Sequence, residues 1–203
     1  NDREYPLLLK CRNIALKEGI ELWGAVPWSW DVKFGIPAAQ VFNHIKKNPG
    51  YDVYFFDCFT SHLSIIYNVW EQGQWCHPHM IEIMQEIFPK IGLNKNIIYQ
   101  PMDRRSIFWG SMCVANEKFW SSYFELGQKF VNAVHDLSPE INKLYKGNTG
   151  YTVDPTIDYF SFIQERLLST FLAINQRTFK ILPYHLAEHR MPDHLYALSL
   201  LKT

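Results

Sequence analysis

Asp57 is the residue of this chain best placed for ligand chemistry. It follows an aromatic and apolar run, residues 51–56, which is preceded by Asn48-Pro49-Gly50. Such a run predicts a buried central strand, and open α/β sheets bind ligands just past the carboxyl ends of their strands. The carboxylate could hold a metal ion or orient a polar substrate. The alternative is an Asp that caps a loop or the next helical turn.

A second group of candidates lies in residues 68–79, which the sequence predicts to be a short connection before a helix. Its members are two tryptophans that could stack on sugar rings, one acid and two histidines: Trp70, Trp75, Glu71, His77 and His79. A helix beginning at Pro78 would offer unpaired N–H groups to an anion such as a diphosphate. Cysteine and histidine are too crowded here for the usual zinc-ligand spacing. A Trp-rich lid packed on the sheet is the alternative.

Glu165 and Arg166 directly precede an apolar pair in a helix that is otherwise predicted to be buried. A charge near a core must be paired or used, because burying it alone is costly. Glu165 could be a general base whose pKa is raised by burial, with Arg166 as a phosphate clamp. A structural ion pair between the two explains the pattern equally well.

Two further histidines, His185 and His189, are predicted to lie one turn apart on an amphipathic C-terminal helix. The intervening Glu188 does not match the zinc-protease motif, in which the acid follows the first histidine. A metal-dependent hydrolase would require these histidines to meet His77 and His79 in space. The sequence also has no Gly-x-Ser-x-Gly elbow, no Walker loop and no Gly-x-Gly-x-x-Gly, which argues against those phosphate-binding and hydrolytic classes.

The elements that must position these residues alternate between helix and strand. Helices are predicted over residues 6–18 and 36–45, and each is followed by a strand, at residues 20–26 and 51–57. This order predicts an α/β fold with a mixed, mostly parallel sheet flanked by helices. Such a sheet normally opens with a strand, and none precedes Pro6. The first strand is therefore expected to be missing.

The later part of the chain continues with helices, strands and one loop that we expect to be mobile. The predicted elements are a helix from Pro78 to Gly92, strands at residues 97–99 and 107–115, a helix capped by Asn116, the loop at residues 146–150, an Asp154-Pro155 helix start and a late helix at residues 160–174.

Composition limits the class of protein. The chain has 203 residues, of which 47% are hydrophobic, so it can bury the core of one domain. Lys plus Arg (20) equals Asp plus Glu (20), which leaves no basic field for nucleic-acid binding. Four widely spaced cysteines suggest a reducing compartment, and the sequence contains neither a membrane-spanning run nor a signal peptide. Because it begins without Met, we expect a piece of a longer protein.

Several short motifs resemble small bacterial glycosyltransferases of capsule and lipopolysaccharide assembly. The similar segments are residues 48–56, 68–73, 77–78, 115–120 and 162–167, scattered between about residues 21 and 174. The resemblance implies a Rossmann-type sheet of the GT-A kind, with a donor half at residues 1–100 and an acceptor half at residues 101–203. In that fold an Asp-x-Asp at a strand end holds a divalent metal. Only its first acid, Asp57, is retained here, which weakens the expectation of Mn²⁺ or Mg²⁺.

The implied reaction is transfer of a sugar from a nucleotide-sugar donor to a growing surface glycan as acceptor. Asp57 would orient the donor diphosphate or its metal, and Glu165 or Glu71 would deprotonate the acceptor hydroxyl. The residues expected to contact substrate are Trp70, Trp75, His77, His79, Asn116 and Arg166. Such an enzyme would be cytoplasmic, compatible with peripheral attachment to the inner face of the membrane. The main rival is a non-catalytic carbohydrate-binding or scaffold domain that retains the fold.

Overall fold

The computed structural model of the chain describes residues 5–25, 36–57, 65–108, 112–151 and 157–185. Within these ranges, seven α-helices and four strands form an α/β fold. The helices are α1 (Tyr5–Glu18), α2 (Ala38–Lys47), α3 (Val69–Cys76), α4 (Met80–Lys90), α5 (Glu117–His135), α6 (Pro139–Tyr145) and α7 (Tyr159–Ile174). The strands are β1 (Leu22–Trp23), β2 (Val53–Asp57), β3 (Cys113–Asn116) and β4 (Ile181–His185), and a 3-10 helix spans Lys95–Tyr99.

The four strands form one mixed sheet in the order β1-β3-β2-β4. β3 is antiparallel to both β1 and β2, and β2 is parallel to β4. The sheet is therefore mixed as predicted, but mostly antiparallel among the described strands, so the prediction of a mostly parallel sheet is wrong there. The reason is the position at which β3 begins. Phe56 N donates to Met112 O at 3.0 Å, so β3 begins beside the end of β2 and must run in the opposite direction.

Several helix boundaries follow local signals that the sequence contains. α1 ends just before Gly19, and α4 ends two residues before Gly92; both glycines have positive φ, +64° and +82°. α5 begins after Asn116, whose side-chain oxygen accepts from Phe119 N at 3.0 Å. α7 is capped by Asp158, and the Asp154-Pro155 start that we predicted lies outside the described residues. The predicted helices α1, α2, α4, α5 and α7 are confirmed.

Three predicted elements are wrong. The connection before Pro78 contains α3, because Asn68 caps it by accepting from the N–H groups of Trp70 and Glu71. The strand predicted at residues 97–99 is a 3-10 helix that follows the cap Asn94. His185 lies in strand β4 rather than on a helix, and His189 lies outside the described residues.

Large aromatic side chains form much of the core. Tyr54, Phe55 and Phe56 on β2 are all buried, and Phe55 stacks on Phe108 with ring centroids 4.8 Å apart. Burying one such side chain contributes roughly 1.5–3 kcal/mol to stability. These rings therefore fix the position of β2 and of its final residue. None of the described helices is long and apolar enough to cross a membrane.

Candidate functional site

The last described residues of β2 and β4 lie at one edge of the sheet, which we call the carboxyl edge. Asp57 is the last residue of β2, and its register partner in β4 is His185, the last residue of that strand. Because the two strands are parallel, Asp57 and His185 lie at the same edge of the sheet. The start of β3 lies there too, through its contact with Phe56. Asp57 thus occupies the type of position that the sequence predicted, just where ligands bind in open sheets.

Helix α7 runs antiparallel to β2. Near its end, Phe171 packs on Phe119, with ring centroids 5.4 Å apart, and Phe119 follows β3 at the opposite, amino edge of β2. Two residues earlier, Ser169 Oγ donates to Phe108 O at 2.8 Å, and Phe108 stacks on Phe55 near the middle of β2. The first half of α7, which carries the predicted Glu–Arg pair, is therefore directed toward the carboxyl edge.

Arg166 anchors α7 to α3. Its side chain is 3% exposed, and its Nε donates to Val69 O at 3.0 Å. The Nη1 group donates to Phe162 O at 2.7 Å, and Nη2 donates to Gln72 Oε1 at 2.6 Å. Burial lowers the pKa of the guanidinium from its ordinary value. The Arg166 guanidinium therefore carries a fixed positive charge, and most of its N–H groups donate to acceptors within the protein.

Glu165 is the more accessible member of the pair. Its Oε2 lies 3.8 Å from Arg166 Nη1, and 38% of its side chain is exposed. The carboxylate can therefore be reached from solvent while the buried arginine orients it. This geometry fits an ion pair, and it equally leaves the carboxylate partly open to solvent.

Gly73 makes room for the arginine. A Cβ at this helical position would lie 3.0 Å from Arg166 Cδ, which is a tight contact, and 2.6 Å from Arg166 Nε, which is too close unless the arginine shifts. The glycine at position 73 is thus explained by packing between α3 and α7. The sequence contained a signal of this close packing, since glycine is otherwise unfavourable inside a helix.

The two tryptophans of α3 differ in exposure. Trp70 is fully buried, its Nε1 donates to Thr170 Oγ1 at 2.9 Å, and its ring packs edge-on against Phe88. Its ring face is therefore closed to a sugar. Trp75 is 59% exposed and can offer its ring to a ligand. Glu71 accepts a hydrogen bond from Tyr67 N at 2.5 Å and so completes the cap of α3.

His77 and His79 have different surroundings. His77 is buried and stacks on Phe162 with ring centroids 3.8 Å apart. The distance from His77 Nδ1 to Thr149 O is 2.9 Å. Because a carbonyl only accepts, Nδ1 carries the proton, and burial lowers the pKa of the ring. His79 is half exposed, lies 3.0 Å from Glu82, and has the left-handed φ of +66°. Among the described residues, no group of three His, Cys, Asp or Glu could hold a metal ion.

The loop at residues 146–150 is tied down instead of standing free. Thr149 is 2% exposed and its carbonyl contacts His77. Gly150 passes so close to Cys76 O that a Cβ would lie 2.9 Å from it. The Tyr159 hydroxyl donates to the carbonyl of Pro78. The loop thus packs against the connection between α3 and α4.

Asn116 lies at the amino edge of β2, away from Asp57. Its Nδ2 donates to Asp52 Oδ1 at 2.7 Å, and Asp52 Oδ2 accepts from Lys180 N at 2.8 Å. Burial tends to raise the Asp52 pKa, but these hydrogen bonds outweigh it and lower the pKa. Asn116 therefore joins α5 to the sheet, and its role in substrate binding stays a prediction.

The sequence prediction missed His185 as a strand-end residue. A signal was available, since residues 181–184 form an apolar run that ends at a histidine, as residues 53–56 end at Asp57. Comparisons with family models, with curated proteins and with solved structures each found no match to this chain.

Proposed function

We propose that this chain is a glycosyltransferase of GT-A-like, Rossmann-type architecture that moves a sugar from a nucleotide-activated donor to a growing surface polysaccharide. One observation carries the proposal. Asp57 is the last described residue of a buried strand, beside His185 of β4, and the half of α7 that carries Glu165 and Arg166 extends toward that edge. Ligands of open α/β sheets bind at such an edge.

In this proposal Asp57 orients the diphosphate of the donor. Mn²⁺ and Mg²⁺ prefer several oxygen ligands, and the described residues provide no cluster of three ligating side chains. The ligating groups of the described residues therefore do not fit a tightly held divalent ion, and no step of the proposal passes through a metal. The Arg166 guanidinium contributes positive potential that favours the departing nucleotide diphosphate.

Glu165 is the proposed general base. Its carboxylate is partly exposed and oriented by Arg166, whereas the Glu71 carboxylate is engaged in capping α3. Glu165 would take the proton from the acceptor hydroxyl as that oxygen attacks the donor sugar. Trp75 is the tryptophan that can stack on a sugar, since the Trp70 ring is buried.

Two substitutions with matched controls test these roles. Asp57→Asn should abolish the rise in melting temperature that a nucleotide-sugar panel gives the parent protein, because a ligand stabilises only the state it binds. Glu165→Gln should keep that rise and lower transfer by about 100-fold or more. The controls Asp136→Asn and Glu125→Gln, at exposed positions of the same residue types, should change neither. Unchanged transfer in both test variants would refute the residue roles.

A non-catalytic carbohydrate-binding domain is the second candidate. It is favoured by Phe59 at the position of the second acid of Asp-x-Asp, together with the exposed ring of Trp75. Such a domain would bind free sugars and give no thermal shift with any nucleotide sugar. The donor panel therefore separates the two candidates directly.

A further inference from the structure

A cavity of about 360 Å³ lies where the end of α5, helix α6 and the start of α7 meet. This volume is near the lower end of small-molecule sites, roughly 300–1,000 Å³. The proposed roles of Asp57, Glu165 and Trp75 do not involve this cavity.

The lining combines an apolar wall with polar groups. Val131, Val134 and Phe160 form part of the wall, and Asn142 and Asp158 are among the polar residues. A purely apolar ligand would remove the polar groups from water without replacing their hydrogen bonds. A ligand with one apolar face and several hydroxyl groups would satisfy both parts of the lining.

The charges of the lining oppose each other. Lys146 supplies an ammonium group and Asp158 a carboxylate, so neither a strongly anionic nor a strongly cationic ligand is favoured overall. This balance argues against a free phosphate or a polyamine. A neutral polyhydroxylated ligand fits this balance of charge.

Three polar side chains have hydrogen-bonding capacity left. Asp158 Oδ1 caps α7 by accepting from Phe160 N at 3.1 Å, which leaves Oδ2 to accept from a ligand. Within the described part of the chain, neither the Asn142 amide nor the Lys146 ammonium has a hydrogen-bond or ion-pair partner. An amide and a carboxylate can together bind neighbouring hydroxyls of a pyranose, donating to one and accepting from another.

The cavity also has a defined relation to the proposed base. Asp158 is the N-cap of α7 and precedes Glu165 by seven residues, a rise of about 10 Å along the helix axis.

We propose that this cavity is a sugar-binding subsite that holds one pyranose unit of the acceptor glycan. The ring would place its C–H face on Phe160 and the valines, and its hydroxyls on Asn142, Asp158 and Lys146. Assigning the sugar to the acceptor rests on the proposed transferase function. The binding of a sugar here does not depend on it.

The test is saturation-transfer NMR and calorimetric titration with methyl glucoside, methyl galactoside, N-acetylglucosamine and inorganic phosphate. At least one sugar should bind and phosphate should not. Asn142→Ala should weaken that sugar by about tenfold, since a ligand hydrogen bond is lost. Asn132→Ala makes the same change at an exposed position of α5 outside the cavity and should have no effect.

A second variant tests the whole cavity instead of a single hydrogen bond. Val134→Trp fills the cavity and should abolish sugar binding while donor binding is retained. If no sugar binds, or if sugar binds equally well to the Val134→Trp variant, the inference is overturned. If sugar binds here but no nucleotide sugar binds anywhere, the subsite stands and the transferase proposal fails, so the two failures are distinguishable.

Discussion

Replacing Gly73 by alanine should destabilise the protein although the position is helical. Alanine in a helix is favoured over glycine by about 1 kcal/mol. Here the added Cβ would lie 2.6 Å from Arg166 Nε, which donates to Val69 O. The side chain of Arg166 is buried and held by three acceptors, so it cannot move aside without loss.

The magnitude follows from these contacts. Overpacking a core costs typically about 1–3 kcal/mol. Losing one hydrogen bond that involves a charged donor costs about 1.5–3 kcal/mol more. After the helix-propensity gain of about 1 kcal/mol is subtracted, Gly73→Ala should lower the free energy of unfolding by about 1.5–5 kcal/mol. Denaturant unfolding followed by tryptophan fluorescence would measure this change.

A double-mutant cycle isolates the cause. Arg166→Met keeps a long unbranched side chain but removes the hydrogen bonds that fix its end. In that background the end of the side chain can swing away, and Gly73→Ala should cost much less than in the parent. The explanation would be wrong if Gly73→Ala were neutral or stabilising in the parent, or if its cost were the same in both backgrounds.

Three further predictions follow from local environments. Burial lowers the pKa of His77, so below about pH 6.5 the unfolded chain takes up a proton that the folded protein does not. The contribution of His77 to stability should therefore be fully present above this pH and be lost as the pH falls below it. In His77→Gln, the free energy of unfolding should vary less steeply with pH over the same range. Asn68→Ala should cost more in denaturant unfolding than Asn94→Ala, because Asn68 caps α3 and also donates to two carbonyls, whereas Asn94 caps one exposed N–H; equal costs would contradict this. In native protein, iodoacetamide followed by peptide mass mapping should label the exposed Cys76 and spare Cys113, whose pKa is raised by burial; rapid labelling of Cys113 would show that its strand opens.

Local signals in the sequence determined most of the helices and the central strand. Asn116 caps α5 through its own side chain, and the glycines at 19 and 92 take the left-handed conformation that follows a helix end. The aromatic run before Asp57 became β2, because a strand buried on both faces requires apolar residues throughout. These features depend on neighbours only a few residues away.

The tertiary structure alone decided which candidate residues are accessible and where they lie. Trp70 and Trp75 look alike in the sequence, yet one is buried against Thr170, 100 residues away, and the other is exposed. Arg166 is fixed by Val69, 97 residues earlier. His185 lies opposite Asp57 in the sheet only because β4 pairs with β2 in parallel register. Local residue patterns do not specify such partners, because burial and strand pairing arise from contacts between distant segments.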